Sequence, residues 1–502
     1  MTANFYEALA AVLQADPGRP LLETEDGRVH VRADAERESA RYARLLAEAG
    51  ARPGDRVAVQ VEKSPAALFL YLACLRAGCV YLPLNTAYQR GELAYFLGDA
   101  EPAVIVARPE SADLMRELCK GRARVYTLDE NGSGSLTEAA TLPQEFAPVA
   151  RGPDDLAVIL YTSGTTGRSK GAMVTHGNLA SNARVLVDAW AFSERDTLLH
   201  ALPIFHIHGL FVANHCALLS GARMLWHRKF DSKAVLRHLP RASVMMGVPT
   251  FYTRLLAEPA FGRDACGGMR LFICGSAPLL PETFAQFESR AGQRILERYG
   301  MSEAGMICSN PLDGERRSGS VGRPLPGGQL RIAGEDDRPL PAGGIGGIQI
   351  RGANVFAGYW RMPEKTREEF TADGWFRTGD VGTMDAGGYV CIVGRAKDLI
   401  ISGGYNVYPK EIELAIDVMP GVAESAVIGV PHPDFGEAVT AVVVPRAGAK
   451  LDAVQLIAAL RRDLANYKVP KQVHFVDDLP RNAMGKVQKA LLRERYGKRG
   501  AR

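Results

Sequence analysis

The chain has 502 residues, with 60 Lys and Arg against 56 Asp and Glu, a net charge of +4. So mild a balance excludes a dedicated nucleic-acid binder. An apolar fraction of 47% beside 23% charged residues excludes disorder as the main state, and the length predicts about three structural units.

The stretch MTANFYEALAAVLQADPG lacks a basic segment followed by an apolar one, so no signal peptide is predicted. No apolar run reaches roughly 18 residues, so no membrane span is predicted. Eight scattered cysteines form no CxxC pair, which reads as reduced, mostly buried thiols in a cytoplasmic protein. From residue 55 strands and helices alternate. Arg56–Val61 is a short β-branched run, Pro65–Ala77 has helical periodicity that Gly78 stops, and Cys79–Leu82 is strand-like again. That βαβ unit predicts parallel pairing. Apolar runs at 103–107, 156–161, 243–247, 270–274 and 294–296 repeat the rhythm, with helical stretches between them. After residue 315 Gly and Pro become frequent and short alternating strands predict an antiparallel, barrel-like section. Beyond Gly394-Arg395-Ala396-Lys397 the pattern reads helix at 409–419, two strands, helix at 452–466, strand at 473–476 and helix at 487–495. The expected fold is therefore α/β: a large amino-terminal domain, 1–396, of α/β sheets plus a small barrel-like subdomain, and a smaller α+β carboxy-terminal domain, 397–502.

The strand at 156–161 runs into Tyr161-Thr162-Ser163-Gly164-Thr165-Thr166-Gly167-Arg168-Ser169-Lys170-Gly171. Glycines let backbone approach an anion, hydroxyls and free N–H groups donate to phosphate oxygens, and Lys170 adds a point charge. The spacing fails GxxxxGK[ST], which disfavours a phosphate-loop NTPase.

This loop resembles the signature of the acyl-adenylate-forming (AMP-binding) superfamily, and further motifs follow in the same order. Gly78–Asn85 (GCVYLPLN), Leu202–Gly209 (LPIFHIHG), Glu297–Glu303 (ERYGMSE), Thr378-Gly379-Asp380, GRAKDLIISGGYNVYPKEIE and Pro480–Lys486 (PRNAMGK) span the chain. The resemblance implies a two-step reaction: a carboxylate attacks the α-phosphate of ATP, then coenzyme A displaces AMP. Joining two anions calls for positive charge and Mg²⁺ at the developing charge. The implied roles are as follows. Thr166 and Glu303 hold the metal, and Ser302, where Thr is more usual, donates to phosphate. Gly275, Ser276, Ala277, Glu297, Arg298, Tyr299 and Gly300 form the adenine pocket, with Tyr299 stacked on the base. Asp380 accepts the ribose hydroxyls, backed by Arg395. Lys486 bridges carboxylate and α-phosphate, with His206 as a further catalytic group. Lys397 is the hinge, and Gly403 and Gly404 line the coenzyme A tunnel. The pattern around Lys486 also resembles a site of lysine acetylation, which implies an acetyltransferase and deacetylase as partners and removal of the charge on modification.

The acid is the harder question. Pro249–Leu256 reads as a helix on which Phe251, Arg254 and Leu255 share a face. A buried Arg without a partner is costly, and a substrate carboxylate fits it bidentately. MGVPTFYTRLL, LFICGSAPLL, ALPIFHIHGLF and ERYGMSE resemble malonyl-CoA synthetases. That resemblance implies that Arg254, His206 and Ser276 hold the distal carboxylate, with Ile207 and Met306 flanking C2 of malonate or methylmalonate. Fatty, aryl and amino acids remain the competing substrates; a non-catalytic nucleotide binder and a carrier-loading module are disfavoured. His206 and His208 could serve zinc, but no further ligands cluster nearby in sequence. All excess charge falls in 397–502, with 16 Lys and Arg against 12 Asp and Glu, leaving 44 of each in the body.

Overall fold

Val, Ile and Leu runs too short for helices build two mainly parallel sheets. The computed structural model describes residues 3–139, 145–162, 169–402, 405–432, 436–482 and 485–497. The first sheet has six strands in the order Arg124–Thr127, Val104–Ala107, Arg56–Gln60, Val80–Pro83, Leu156–Thr162 and Lys170–Thr175. All neighbours pair in parallel except the last two. The second has nine, with Leu296–Met301, Leu271–Cys274, Val244–Gly247 and Thr197–His200 adjacent and parallel at its centre. Strands covered on both faces read as unbroken apolar runs, and Val244–Gly247 and Leu271–Cys274 are buried at every residue.

The helix Pro65–Arg76 lies within the core. Ser64 caps it by accepting from the Ala67 N–H at 3.2 Å, and Pro65 occupies its first turn. Every residue from Ala67 to Arg76 is buried. Gly78, at φ +67°, ends this segment, in a conformation that L side chains adopt rarely. The expected antiparallel section is a four-stranded sheet, Gly328–Ala333, Gly346–Gly352, Phe376–Met384 and Val390–Arg395. Between Gly322 and Val390 a bridge ties it to the body.

The carboxy-terminal region has its own sheet, in the order Tyr405–Val407, Ile400–Ser402, Gly436–Pro445, Val422–His432, with Gln472–Phe475 added in parallel to Gly436–Pro445. Its helices Pro409–Asp417 and Ala453–Asp463 contribute Ile412, Ile416, Leu456 and Leu460 to a separate core. The boundary expected at 396/397 falls inside the short 3₁₀ turn Ala396–Asp398. All eight cysteines are free thiols and seven of them are buried. Among the described residues no helix is long and apolar enough to cross a membrane.

Candidate active site

The parallel strands of the nine-stranded sheet end together, where open α/β sheets place their ligands. Thr197–His200 leads into the turn 202–209, Val244–Gly247 into the helix Pro249–Ala257, and Leu271–Cys274 into Gly275-Ser276-Ala277. Leu296–Met301 carries Glu297, Arg298 and Tyr299. The carboxy-terminal region covers this edge, and a cleft of about 760 Å³ lies between them. Gly275, Arg298, Tyr299, Asp380, Arg395 and Lys486 are among its walls.

On one side the polar groups satisfy each other. The Tyr299 hydroxyl donates to Asp380 Oδ2 at 2.5 Å, and Arg395 Nε sits 3.1 Å from Asp380 Oδ1. Asp380 is 6% exposed, so its two partners offset the cost of burying a carboxylate. Beyond them stands buried Glu303. Tyr359 Oη and Thr162 Oγ1 donate to Glu303 Oε1 at 3.2 and 3.4 Å. Burial pushes the Glu303 carboxyl upward, so its charge is in want of a cation. A buried carboxylate flanked by hydroxyl oxygens suits a hard cation, which prefers oxygen donors. Lys170 is held by an acidic residue and an aromatic ring. Its ammonium lies 3.2 Å from Glu369 and 4.1 Å from the centre of the Tyr359 ring. Lys170 is 8% exposed, and a buried ammonium takes the nearest carboxylate. Ser163, Gly164, Thr165, Thr166 and Gly167 lie outside the described residues, as do Gly403 and Gly404.

Lys486 reaches this wall from the carboxy-terminal region. Asn482 frames its turn, accepting from the Lys486 N–H at 3.0 Å and donating its own N–H to the Lys486 carbonyl at 2.9 Å. Burial, reinforced by Arg395, pushes its ammonium down to about 8. Lys397 is also pushed down by burial, beside Arg395 and Asp398.

The other end of the cleft has a different character. Arg298 is 4% exposed, and its Nε and Nη2 atoms have no hydrogen-bond partner. Burial lowers even this guanidinium to about 10. A Cβ on Gly275 would stand 2.4 Å from Arg298 Nη1, so glycine there leaves the guanidinium its space. Burial and then Arg298 push His206 down to about 4 and hold His208 neutral. His208 N donates to His206 Nδ1 at 3.3 Å, and Ser276 Oγ lies 3.2 Å from His208 Nδ1. Ser276 itself is held at φ +70°, a strained conformation for a non-glycine residue. Among the described residues no three or more His, Cys, Asp or Glu side chains are arranged to hold a metal. The H-x-H pair instead serves the hydrogen bonds just described.

Arg254 does not take the buried position expected of it. It is exposed on the cleft wall beside Thr250 and Thr253, because its helix turns Tyr252 and Leu255 inward. Ile207 and Met306 are both buried, Met306 directly behind Gly300 of the cleft wall. Ile207 lines a small cavity of about 20 Å³ with Leu179, Leu186, Phe211 and Ser302. Met306 packs so closely on Gly300 that a Cβ there would meet its Cε at 2.3 Å. Glu297 is buried with Oε1 unpartnered, and burial pushes its carboxyl up to about 8. Tyr359 and Glu369 carry no signal in the sequence that links them to Glu303 and Lys170, which lie far away along the chain.

Comparison with known proteins agrees with this architecture. Residues 9–360 match the AMP-binding enzyme family and residues 411–486 the AMP-binding enzyme C-terminal domain. The chain belongs to the AMP-binding enzyme family. A feruloyl-CoA synthase from Amycolatopsis sp is 41% identical, with 93% of this chain and 94% of that protein covered. A malonate–CoA ligase from Arabidopsis thaliana is 35% identical, covering 89% of this chain and 78% of that one. ATP-bound MatB from Rhodopseudomonas palustris is 53% identical over 100% of both chains, with a TM-score of 0.97. Its apo form, 54% identical over the same full coverage, gives 0.86, so the present arrangement is nearer the ATP-bound one.

Proposed function

We propose that this AMP-forming CoA ligase activates malonate, with Arg298 as the counter-ion of the carboxylate that does not react. The observation that carries this is the buried guanidinium with two unpartnered nitrogens, set among His206, His208 and Ser276. Leaving a buried cation unpaired costs several kcal/mol, on the order of the penalty of breaking a buried ion pair. A dianionic acid removes that cost on binding. A fatty or aryl tail, such as that named for the feruloyl-CoA synthase relative, would leave it in place. The relative named as a malonate–CoA ligase supports the same choice. Methylmalonate is the second acid expected.

In the first step a carboxylate oxygen bonds to the α-phosphorus of ATP and pyrophosphate leaves. Lys486 holds both anionic partners, and Asp380, oriented by Arg395 and Tyr299, accepts from the ribose. Glu303 and Thr162, with Thr166, would hold Mg²⁺, which when bound supplies Lewis-acid charge at the phosphates. In the second step the coenzyme A thiol adds to the acyl carbon and AMP departs. Lys397 is proposed as the hinge between the two steps, and Gly403 and Gly404 as the walls of the thiol's path.

The test is pyrophosphate release with malonate, methylmalonate, acetate, octanoate and 4-coumarate. Malonate is expected to give the highest kcat/KM, and Arg298→Met to cost malonate about 100-fold while leaving acetate unchanged. Equal rates for acetate and malonate in the wild type would overturn the assignment.

A further inference from the structure

Behind the turn that carries His206 and His208 lies a second pair of buried polar side chains, Lys63 and His200. Lys63 is 6% exposed and His200 1% exposed. They come from strand ends in different sheets, Lys63 from the segment after Arg56–Gln60 and His200 from the end of Thr197–His200. Lys63 Nζ lies 2.8 Å from His200 Nδ1 and donates to the His200 carbonyl, also at 2.8 Å. His200 Nε2 lies 3.0 Å from the Gly209 carbonyl oxygen. Lys63 Nζ also rests 4.2 Å from the centre of the Trp226 ring, which packs on His200 with ring centroids 4.8 Å apart, and burial pushes the Lys63 amine well below the usual lysine value.

Donor and acceptor bookkeeping fixes the proton. A carbonyl oxygen only accepts, so His200 Nε2 must carry hydrogen to sit 3.0 Å from it. Burial, with Lys63 adding to it, keeps His200 neutral, so Nδ1 is then the lone pair. Lys63 therefore donates to Nδ1. Gly209 closes the turn: a Cβ there would meet the Pro203 carbonyl oxygen at 2.1 Å, so the two ends of the turn are in direct contact. The residue before it, His208, opens a π-helical turn, His208–Ala213, a rare form found often at functional sites.

We infer that Lys63 and His200 are positioning residues of the acid pocket: Lys63 sets the His200 tautomer, and the resulting Nε2–H to Gly209 bond fixes the turn that presents His206 and His208. In the opposite tautomer the Nε2 lone pair would face the Gly209 oxygen and the turn would lose its anchor. The relay rests on this turn bordering the acid site, but not on the acid being malonate.

The experiment compares steady-state KM values for acid and ATP in Lys63→Met, His200→Gln and His200→Phe, with ¹⁵N NMR of the histidines in the wild type. Lys63→Met keeps length and volume but removes the donor, and is expected to raise the acid KM about tenfold while the ATP KM stays within about twofold. His200→Phe should behave likewise, and His200→Gln, whose amide can still donate to Gly209, should stay near the wild-type acid KM. The NMR should show His200 protonated at Nε2 in the wild type. Measured with malonate and with the fastest other acid of the panel, the KM rise should appear for both, which separates this relay from the choice of malonate. A folded Lys63→Met with unchanged acid KM, a parallel rise of both KM values, or a wild-type His200 protonated at Nδ1 would overturn it. The last holds even where the variants do not fold.

Discussion

The two ends of the cleft treat charge in opposite ways. At the nucleotide end Asp380 has Arg395 and Tyr299, Lys170 has Glu369 and the Tyr359 ring, and Glu303 has two hydroxyls. At the acid end Arg298 keeps two unpartnered nitrogens while being almost wholly buried. Paired groups hold their geometry before the substrate arrives, so their contribution is orientation. An unpaired buried cation instead holds a binding energy that only an anion of the right length can release. Under the proposed function, the contrast puts general machinery at one end and choice of acid at the other.

Removing the Lys486 cation tests the first half most severely. Lys486→Ala should reduce adenylation about 10³-fold or more, on the order of losing a transition-state donor, yet spare coenzyme A transfer from supplied acyl-adenylate. Comparable loss of both half-reactions would show that Lys486 has no role specific to the first step. The 100-fold loss set out above for Arg298→Met comes next, and a stability measurement sharpens it. Replacing an uncompensated buried charge by a methionine should raise Tm or leave it unchanged, whereas a structural arginine would lower it.

A pH series gives a smaller effect. Lys486 is pushed down to about 8, so its positive form fades above that pH rather than near the usual lysine value. Adenylation should therefore fall about tenfold per pH unit on the alkaline side of 8, and coenzyme A transfer should not follow. Because the unfolded chain binds this proton more tightly than the folded one, the same group makes folding more favourable as pH rises from about 8 toward 10.5. Activity and stability should thus move in opposite directions. Least affected should be Arg254→Ala. Its side chain is exposed on the wall, so kcat/KM for malonate should stay within about threefold. A loss equal to that of Arg298→Met would move the carboxylate site to the cleft mouth.

The two arginines also show where sequence patterns stop. Arg254 draws attention because it shares a helical face with Phe251 and Leu255, yet an i, i+3, i+4 pattern does not say how wide the buried stripe is. Arg298 has no periodic signature, since it lies in a strand, Leu296–Met301, of which the apolar pattern shows only the first residue. Site residues replace the alternation that would have marked that strand, so its hairpin with Gly305–Ser309 is visible only in the fold. Lys170 is similar: a phosphate loop is plain from its composition, but the carboxylate of Glu369 stands far along the chain.

By itself the sequence determined the class of chemistry, the order of the motifs and the alternation of strands and helices. These depend on local residue types and spacing: glycines and hydroxyls around an anion, and apolar runs of strand length. The tertiary structure decided which charges are satisfied. It joined Lys63 to His200 across two sheets, and buried Arg298 while leaving Arg254 in solvent. Whether a charge has a partner depends on burial and on contacts between distant segments, and neither is written in the neighbourhood of the residue itself.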